Sequence, residues 1–282
     1  MTLRLYCTPY GLAREEEDEL VVLDLPHPDV GALLRDDFSL AGTASALLRL
    51  PARTTTLLAP LSHPGKVVLA GANYRDHVKE AGMPIPDAAV FITVTGSMVT
   101  GPYSDIVLPA DASGCVDYEA ELAVVIGVGG TNIPAARAWD HIAGLTVAND
   151  VSARDVQLAG MREGVITDTV AVARGKTYPT FKPLGPAVVT TDEFARPLAL
   201  DITTWVNGEV RQHSNTDQML FSVPEIIETV SASVPLEAGD VVLTGTPAGV
   251  ALASGRYLQA GDIVEIRIDQ IGHLRNKVIS AR

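Results

Sequence analysis

Two glutamates, Glu119 and Glu121, stand one residue apart at the start of an apolar run that continues to Ile126. Because side chains alternate between the two faces of a β-strand, both carboxylates are predicted to point to the same side. Like charges this close repel each other, so we expect a positive group between them. A solvated strand face is the alternative, but the strongly apolar residues that continue the strand favour burial.

A third carboxylate, Asp150, closes the apolar run of residues 142–149, where a strand is expected to end. Carboxylate oxygens without Cys or His suit a hard divalent cation, which would be Mg²⁺, Mn²⁺ or Ca²⁺. Residues 152–158 are typical of a helical turn, and Asp150, Arg154 and Gln157 recur at helical spacing, which predicts that they share one face. An ordinary surface pair of Asp150 and Arg154 is the alternative.

His77 and Glu80 lie three residues apart in a short helical pattern over residues 74–81, so their side chains are neighbours. A carboxylate beside an imidazole raises its basicity and fixes its orientation, which gives a general base that can take a proton from water near neutral pH. A surface pair is the alternative. The sequence has no Gly-x-Ser-x-Gly or His-Glu-x-x-His motif, so neither a serine nucleophile nor a zinc peptidase is supported.

The elements that must position these residues are mostly strands. Short β-type runs bounded by Gly, Pro, Asp or Asn recur from Lys66 onward, and Asn207-Gly208 between two such runs predicts a β-hairpin. Helical patterns are fewer and do not alternate regularly with strands, so we predict an α+β protein that is predominantly β. The predicted strands cover residues 67–70, 120–126, 144–148, 187–190, 200–206, 241–244 and 263–268, and the predicted helical segments cover residues 74–81, 135–142, 152–158 and 224–233.

Composition limits the class of protein. The 282 residues carry 21 Lys+Arg against 34 Asp+Glu, and a formal net charge of −13 argues against binding to nucleic acid or to an anionic membrane. Cys7 and Cys115 have no partner spacing, so we expect reduced thiols. No signal peptide and no run of about 18 apolar residues is readable, which predicts a soluble cytoplasmic protein.

A change in residue pattern near Pro64 predicts a boundary between two parts of the chain. Residues 1–64 contain short apolar stretches, several prolines and no cluster of catalytic residue types, which predicts a small N-terminal module. Residues 65–282 form the predicted catalytic domain. Within it, residues 159–174 make an insertion that we expect to shape the pocket.

Five motifs of this second part closely resemble the fumarylacetoacetate hydrolase family. They occur in the family's order, and the likeness covers about residues 66–282. The motifs are Gly71-Ala72-Asn73-Tyr74-Arg75-Asp76-His77, Tyr118-Glu119-Ala120-Glu121-Leu122, Asn149-Asp150-Val151-Ser152-Ala153-Arg154-Asp155, Gly175-Lys176-Thr177-Tyr178-Pro179-Thr180 and Thr244-Gly245-Thr246-Pro247-Ala248-Gly249.

The resemblance implies a mixed β-sandwich roll in which Glu119, Glu121 and Asp150 hold Mg²⁺ or Mn²⁺. This is the same oxygen-only set that the residues themselves indicate. The resemblance also implies that Lys176 reaches towards the metal-bound substrate, whereas a solvated loop lysine would be the alternative without that context.

The resemblance assigns further residues to the same site. It implies that His77 and Glu80 act as the catalytic pair on a segment that closes over the site. For Thr246, a tight turn without contact to substrate stays open as an alternative. The other residues assigned in this way are Arg154 and Gln157 to the catalytic site, and Thr180 and Tyr74 to substrate binding.

These observations predict a metal-dependent hydrolase that cleaves a C–C bond in an acylpyruvate-like 2-oxo acid. The same enolate arises if the metal-held 2-oxo acid loses CO₂ or tautomerises, so a decarboxylase or an isomerase is the first alternative. A non-catalytic binding or scaffold protein is the second. The partner we expect is a small 2-oxo acid, and the exposed edges expected of a β-roll make a homodimer the predicted assembly.

Overall fold

The structure is a computed structural model that describes residues 2–112, 114–162 and 165–281. Strands dominate this part of the chain. The strands are β1 (Arg4–Thr8), β2 (Gly11–Glu16), β3 (Glu19–Leu23), β4 (Ala46–Pro51), β5 (Lys66–Gly71), β6 (Val90–Thr95), β7 (Val99–Thr100), β8 (Ile106–Leu108), β9 (Val116–Asp117), β10 (Ala120–Ile126), β11 (Ile142–Asn149), β12 (Ser152–Ala153), β13 (Met161–Arg162), β14 (Val165–Ile166), β15 (Lys182–Thr190), β16 (Asp201–Val206), β17 (Glu209–Asn215), β18 (Val241–Leu243), β19 (Ile263–Ile268) and β20 (Gly272–Ser280). The α-helices are α1 (Val30–Asp36), α2 (Leu40–Thr43), α3 (Arg75–Glu80), α4 (Arg154–Ala159), α5 (Thr169–Arg174), α6 (Val223–Ser231) and α7 (Ala251–Ser254), and the 3₁₀-helices are Gly96–Met98, Ala135–His141, Thr191–Glu193 and Thr216–Gln218.

Two sheets carry the fold. The larger has eleven strands in the order β4-β3-β2-β1-β15-β11-β10-β18-β5-β6, with β7 also paired to β15. Its neighbours are antiparallel except for the parallel pairs β18–β5 and β7–β15. The smaller sheet has the order β17-β16-β19-β20-β8. The predicted α+β class, predominantly β and with mixed sheets, is confirmed.

The central strands of the larger sheet are buried on both faces. Leu122 and Val124 of β10 pack into a core shared with β16, β19 and β20 of the smaller sheet. Ala123 and Val125 point the other way, into a second core with α1. Because β10 and β11 lie between two apolar layers, any polar group at their ends needs a partner within the protein.

The N-terminal residues join the larger sheet. Strand β1 pairs antiparallel with β15, and β2, β3 and β4 follow in a meander that extends the sheet outward. Helix α1 packs over this extension, with the Asp29 side chain accepting a hydrogen bond from the Ala32 amide at its first turn. The division of the chain near residue 64 stays a prediction.

Local sequence signals fix several turns. Asn207 and Gly208 have φ values of 53° and 80°, which is the left-handed conformation that a two-residue hairpin requires, and they connect β16 to β17. Helix α6 begins with a capping box between Ser222 and Glu225. The predicted helix over residues 135–142 is instead a 3₁₀-helix, Ala135–His141.

One expected helix starts later than predicted, and this changes the geometry of the site. Residues 152–153 form the short strand β12, and α4 begins at Arg154. Asp150 therefore lies just beyond the end of β11 and not on the helix. The prediction that Asp150 shares a helical face with Arg154 and Gln157 is wrong, because the end of β11 and the short strand β12 precede the helix.

No helix in the three described ranges is long and apolar enough to cross a membrane.

Candidate active site

Pairing of β10 with β11 brings the predicted carboxylates together. Ala120 is opposite Asn149 in this antiparallel pair, and the Asp150 amide donates to the Glu119 carbonyl at 2.8 Å. Glu119, Glu121 and Asp150 are all buried, and each offers an oxygen within 4.8 Å of the others' oxygens. The solvated strand face considered for Glu119 and Glu121 is therefore not what forms.

Lys176 lies between two of these carboxylates. Its Nζ donates to Glu119 Oε2 at 2.6 Å, to Asp150 Oδ2 at 2.5 Å and to Ser152 Oγ at 3.0 Å. Burial alone would lower the pKa of Lys176, but Asp150 and Glu119 hold it above its ordinary value. The side chain is thus a buried ammonium and not a solvated loop lysine.

Lys182 is a second buried lysine that the sequence interpretation missed. Its Nζ lies 2.7 Å from Asp150 Oδ1, on the oxygen that Lys176 does not contact. Burial lowers its pKa, and Asp150 opposes that shift. The signal available in the sequence was a lysine at the start of the otherwise uncharged strand β15, whose residues are all buried.

Arg154 holds the opposite side of the cluster. Its guanidinium contacts Asp117 Oδ2 at 2.8 Å and Glu119 Oε1 at 2.7 Å, and it donates to Gln157 Oε1 at 2.7 Å. Although burial works against the charged form, Glu119 and Asp117 raise the pKa of Arg154. Arg154 and Gln157 do reach one space, but the acid that Arg154 binds comes from the β9–β10 segment and not from Asp150.

Glu119 and Glu121 differ in their electrostatic surroundings. Burial alone would raise the pKa of Glu119, but Arg154 and Lys176 hold it well below its usual range. Burial, together with Asp150 and Glu119, raises the pKa of Glu121 well above its ordinary value. Glu121 Oε2 accepts a hydrogen bond from the Gly245 amide at 2.6 Å.

The cluster has more acids than bases. It contains four buried carboxylates, and three buried cations face them. The carboxylates are Asp117, Glu119, Glu121 and Asp150, and the cations are Arg154, Lys176 and Lys182.

The surplus negative charge falls on Glu121. Glu121 forms, with Glu119 and Asp150, a group of carboxylates that offers only oxygen ligands. Because hard divalent cations prefer carboxylate oxygens, the residues present fit Mg²⁺ or Mn²⁺.

His77 and Glu80 occupy α3 at the edge of this cluster. His77 Nδ1 lies 3.9 Å from Glu80 Oε2, and the imidazole is largely buried. Burial lowers the pKa of His77, so the ring is neutral at neutral pH, and Glu119 and Arg154 are the charged groups that act on it most. Glu80 in turn accepts hydrogen bonds from the Gly249 amide at 3.0 and 3.1 Å, which ties α3 to the Thr246–Gly249 turn.

The three predicted substrate contacts lie in different surroundings. Tyr74 is fully buried, its hydroxyl has no hydrogen-bond partner among the described residues, and Glu121 is the largest influence after burial on its raised pKa. Thr246 Oγ1 is buried and accepts a hydrogen bond from Gln212 Nε2 at 2.8 Å. Thr180 is engaged elsewhere, since its hydroxyl accepts the Val107 amide at 2.9 Å.

The predicted insertion of residues 159–174 contains the antiparallel strands β13 and β14 and helix α5. Its residues Glu163 and Gly164 lie outside the described residues. Asp168 caps α5 by accepting from the amides of Val170 and Ala171. Helix α5 leads directly into Gly175 and Lys176, so this segment sets where the lysine enters the site.

Residues 66–279 match the fumarylacetoacetate (FAA) hydrolase C-terminal family. The chain belongs to this family. The resemblance stated from the five motifs is thus confirmed, and the match starts at β5 and includes every residue of the buried cluster.

Three relatives show the range of activities around this family member. It is 45% identical over 238 residues to the mitochondrial oxaloacetate tautomerase FAHD2A of Bos taurus, which covers 84% of this chain and 73% of that protein. The structure of 2-hydroxyhepta-2,4-diene-1,7-dioate isomerase from Mycobacterium marinum is similar, with 36% identity, a TM-score of 0.76 and coverage of 99% and 98%. Maleylpyruvate hydrolase from Sphingobium sp. SYK-6, with manganese(II) and pyruvate, is 28% identical, with a TM-score of 0.78 and coverage of 99% and 100%.

These relatives share one fold but carry names from different reaction classes. The β-sandwich roll expected of this family member is confirmed by the solved structures. All three names are those of enzymes, so the chain belongs to an enzyme family. The tautomerase and isomerase names support the alternative that the sequence left open more than they support C–C hydrolysis.

Proposed function

We propose that this protein is a tautomerase that interconverts the keto and enol forms of a small 2-oxo acid such as oxaloacetate. The observation that carries the proposal is the buried, neutral imidazole of His77 beside a cluster of carboxylates and ammonium groups. A neutral base next to fixed positive charge can move a proton between carbon and oxygen of a bound substrate. The tautomerase at 45% identity supports the same reaction.

Glu119, Glu121 and Asp150 are the residues that would hold a divalent cation, with Mg²⁺ or Mn²⁺ as the first choices and Ca²⁺ as the third. When bound there, the cation supplies Lewis-acid polarisation of the 2-oxo group, which makes the neighbouring C–H more acidic. The manganese(II) in maleylpyruvate hydrolase supports this choice of ion.

The chain's own residues then divide the work. The Lys176 ammonium stabilises negative charge as it develops on the substrate oxygen, since its pKa keeps it protonated. His77 takes a proton from the carbon next to the 2-oxo group, and the proton returns to the oxygen, so keto and enol forms differ only in where that hydrogen resides. Glu80 lies beside the imidazole, with its Oε2 3.9 Å from His77 Nδ1, and its bond to the Gly249 amide fixes α3 in place.

The remaining predicted residues enter as supports of the same site. Arg154 and Gln157 keep Glu119 in one orientation through a chain of hydrogen bonds. Tyr74 and Thr246 are proposed to line the substrate pocket. Thr180 is proposed to act only through the backbone, because its hydroxyl is already bound to the Val107 amide.

Hydrolysis remains the second candidate, and one observation favours it. Maleylpyruvate hydrolase shares the fold, and its structure holds pyruvate, the product that C–C hydrolysis of an acylpyruvate releases. In that reaction His77 would activate a water instead of taking a proton from substrate. The tautomerase and isomerase names of the other two relatives are the reason tautomerisation is preferred.

An assay of three products separates the reactions. Purified protein with MnCl₂ is given oxaloacetate, and the loss of enol absorbance, the release of CO₂ and the formation of pyruvate are followed separately; an acylpyruvate panel tests for a second carboxylic acid. We expect fast enol–keto conversion without CO₂ or a second acid. A rate equal to the uncatalysed rate, or a second acid released at a comparable rate, would overturn the proposal.

Variants connect the activity to the site. His77→Ala should lower the tautomerisation rate by about 10²-fold or more, the usual contribution of a general base. His63→Ala is the matched control, because His63 is exposed and its ring hydrogen-bonds to the neighbouring Ser62. Absence of turnover, together with a thermal stability that divalent cations do not change, would favour the scaffold alternative.

Two properties of the whole protein are also proposed and not yet tested. A homodimer is the expected assembly, and light scattering in solution measures it. The sequence predicts a cytoplasmic location, whereas the name of the Bos taurus relative includes the word mitochondrial. Imaging of a tagged protein distinguishes the cytoplasm from mitochondria.

A further inference from the structure

Lys182 is a buried charged residue that the proposed reaction does not use. Lys182 is the first residue of β15, its side chain is 2% exposed, and its Nζ reaches the carboxylate cluster. A lysine this deeply buried is rare unless its charge has a partner. The partner here is Asp150, itself one of the three residues proposed to hold the cation.

The contacts of Lys182 fit an ammonium. Its Nζ donates to three carbonyl oxygens, those of Lys176 at 2.5 Å, Phe181 at 3.1 Å and Val151 at 3.4 Å. These bonds use the three N–H groups of an ammonium, whereas a neutral amine has two. Asp150 Oδ1 lies 2.7 Å from Nζ and forms an ion pair with it.

The charge of Lys182 changes the balance of the whole cluster. With four carboxylates and three cations the cluster has a charge of −1 when all are ionised, and a divalent cation brings it to +1. Without Lys182 the loaded cluster would be neutral. A site with a net positive charge attracts an anionic 2-oxo acid, and a neutral site does not.

We propose that Lys182 is a specificity-determining residue, whose charge weakens cation binding and strengthens binding of the anionic substrate. The inference rests on the proposed metal site and adds a division of labour between two lysines. Lys176 faces the bound substrate, and Lys182 sets the charge from behind Asp150. Its bond to the Lys176 carbonyl also fixes the backbone from which Lys176 extends.

The proposal predicts opposite changes in two affinities. Removing a unit charge a few ångströms from the cluster should tighten cation binding by about tenfold or more, and should weaken anion binding by a similar factor. A residue with a merely structural role would behave differently. Damage to the site would weaken both affinities together.

Calorimetry on the full chain tests this. Mn²⁺ is titrated into the metal-free wild type and into Lys182→Gln, and oxalate, a planar mimic of a 2-oxo acid, is then titrated into each Mn²⁺-loaded protein. Lys182→Gln keeps a hydrogen-bond donor for the carbonyls but removes the charge. Lys182→Met is the second neutral variant, used if the first does not fold. Lys66→Gln is the matched control, because Lys66 pairs with Glu237 and Asp240 away from the cluster.

We expect the neutral variant to bind Mn²⁺ at least about tenfold more tightly and oxalate at least about tenfold more weakly, with Lys66→Gln within about twofold of wild type. Unchanged affinities, or a loss of both together, would overturn the role of Lys182. If the wild type itself bound no Mn²⁺, the proposed metal site would fail, and that result is distinct from the other two.

Discussion

Replacing Glu121 by Gln should stabilise the metal-free protein at neutral pH and destabilise the metal-supplied protein relative to wild type. The change removes the one carboxylate of the cluster that no cation neutralises directly. The amide oxygen can still accept the Gly245 hydrogen bond, so the packing is kept. The opposite signs in the two conditions separate a metal ligand from an ordinary buried acid.

The magnitude follows from the raised pKa of Glu121. Below the ordinary value of 4.5, both folded and unfolded chains hold the proton, and the group has no effect on the pH dependence of stability. Above it, the unfolded chain releases the proton while the folded chain retains it, so the free energy of unfolding falls by about 1.4 kcal/mol per pH unit until the folded pKa is reached. Between pH 4.5 and pH 7 this loss is at most about 3.4 kcal/mol, and the Gln variant does not undergo it.

Metal reverses the order. A ligand that binds only the folded state at a concentration of about 1,000 times its Kd adds about 4.1 kcal/mol to the free energy of unfolding, which exceeds the loss at pH 7. Wild type should gain this stabilisation from MnCl₂, and Glu121→Gln should gain little, because it has lost one ligand charge.

Urea unfolding at pH 5, 6, 7 and 8, with EDTA and with MnCl₂, measures both effects. Glu17→Gln is the control, because Glu17 is exposed and far from the cluster in the β2–β3 turn. In EDTA, the wild type should lose stability with pH more steeply than Glu121→Gln. Equal slopes of the free energy of unfolding against pH would mean that Glu121 does not carry the surplus charge. There would then be no electrostatic reason to expect a cation at this site.

Three further changes probe the supports of the site. Arg154→Met should reduce the free energy of unfolding by about 3 to 5 kcal/mol, because it leaves the buried carboxylate of Asp117 without its partner, and a loss under about 1 kcal/mol in urea unfolding would contradict this. Gly249→Ala should abolish turnover, since φ is 100° and a Cβ would lie 1.9 Å from the Arg211 carbonyl oxygen; wild-type rates in the tautomerase assay would refute it. Asp29→Ala should cost about 1 to 2 kcal/mol in thermal unfolding by removing the cap of α1, yet leave turnover unchanged, and a fall in turnover of the folded variant would show that α1 affects the site.

Features encoded by neighbouring residues were predictable from the sequence. The apolar β-type run of residues 120–126 predicted the strand with its bounds, and the alternation of side chains along a strand predicted that Glu119 and Glu121 lie together. Asn207-Gly208 gave the hairpin, because a left-handed turn strongly favours these two residue types. In each case the physical constraint acts within a few residues of the chain.

Features that depend on distant partners were not predictable in the same way. Helical spacing suggested that Arg154 joins Asp150, but the guanidinium is taken by Asp117 and Glu119, which the β9–β12 bridge brings close. Lys182 was missed because its charge partner is distant in the sequence, and the uncharged residues that follow it were the one local signal. Its partner, Asp150, follows strand β11, and the two residues come together only because β11 pairs with β15.

The arrangement of the site suggests where reaction class is decided in this family. The carboxylates and lysines are held by the central strands and by one another. His77 and Glu80 lie on the six-residue helix α3. Of these two residues, Glu80 is the one that bonds to the Gly249 turn. Relatives named tautomerase, isomerase and hydrolase share the fold, so the fold does not select among these reactions. These relatives can still differ in whether the base on α3 contacts a substrate carbon or a water. The chemistry is then decided by what reaches the buried imidazole of His77, because the charged cluster can stabilise the same enolate in either reaction.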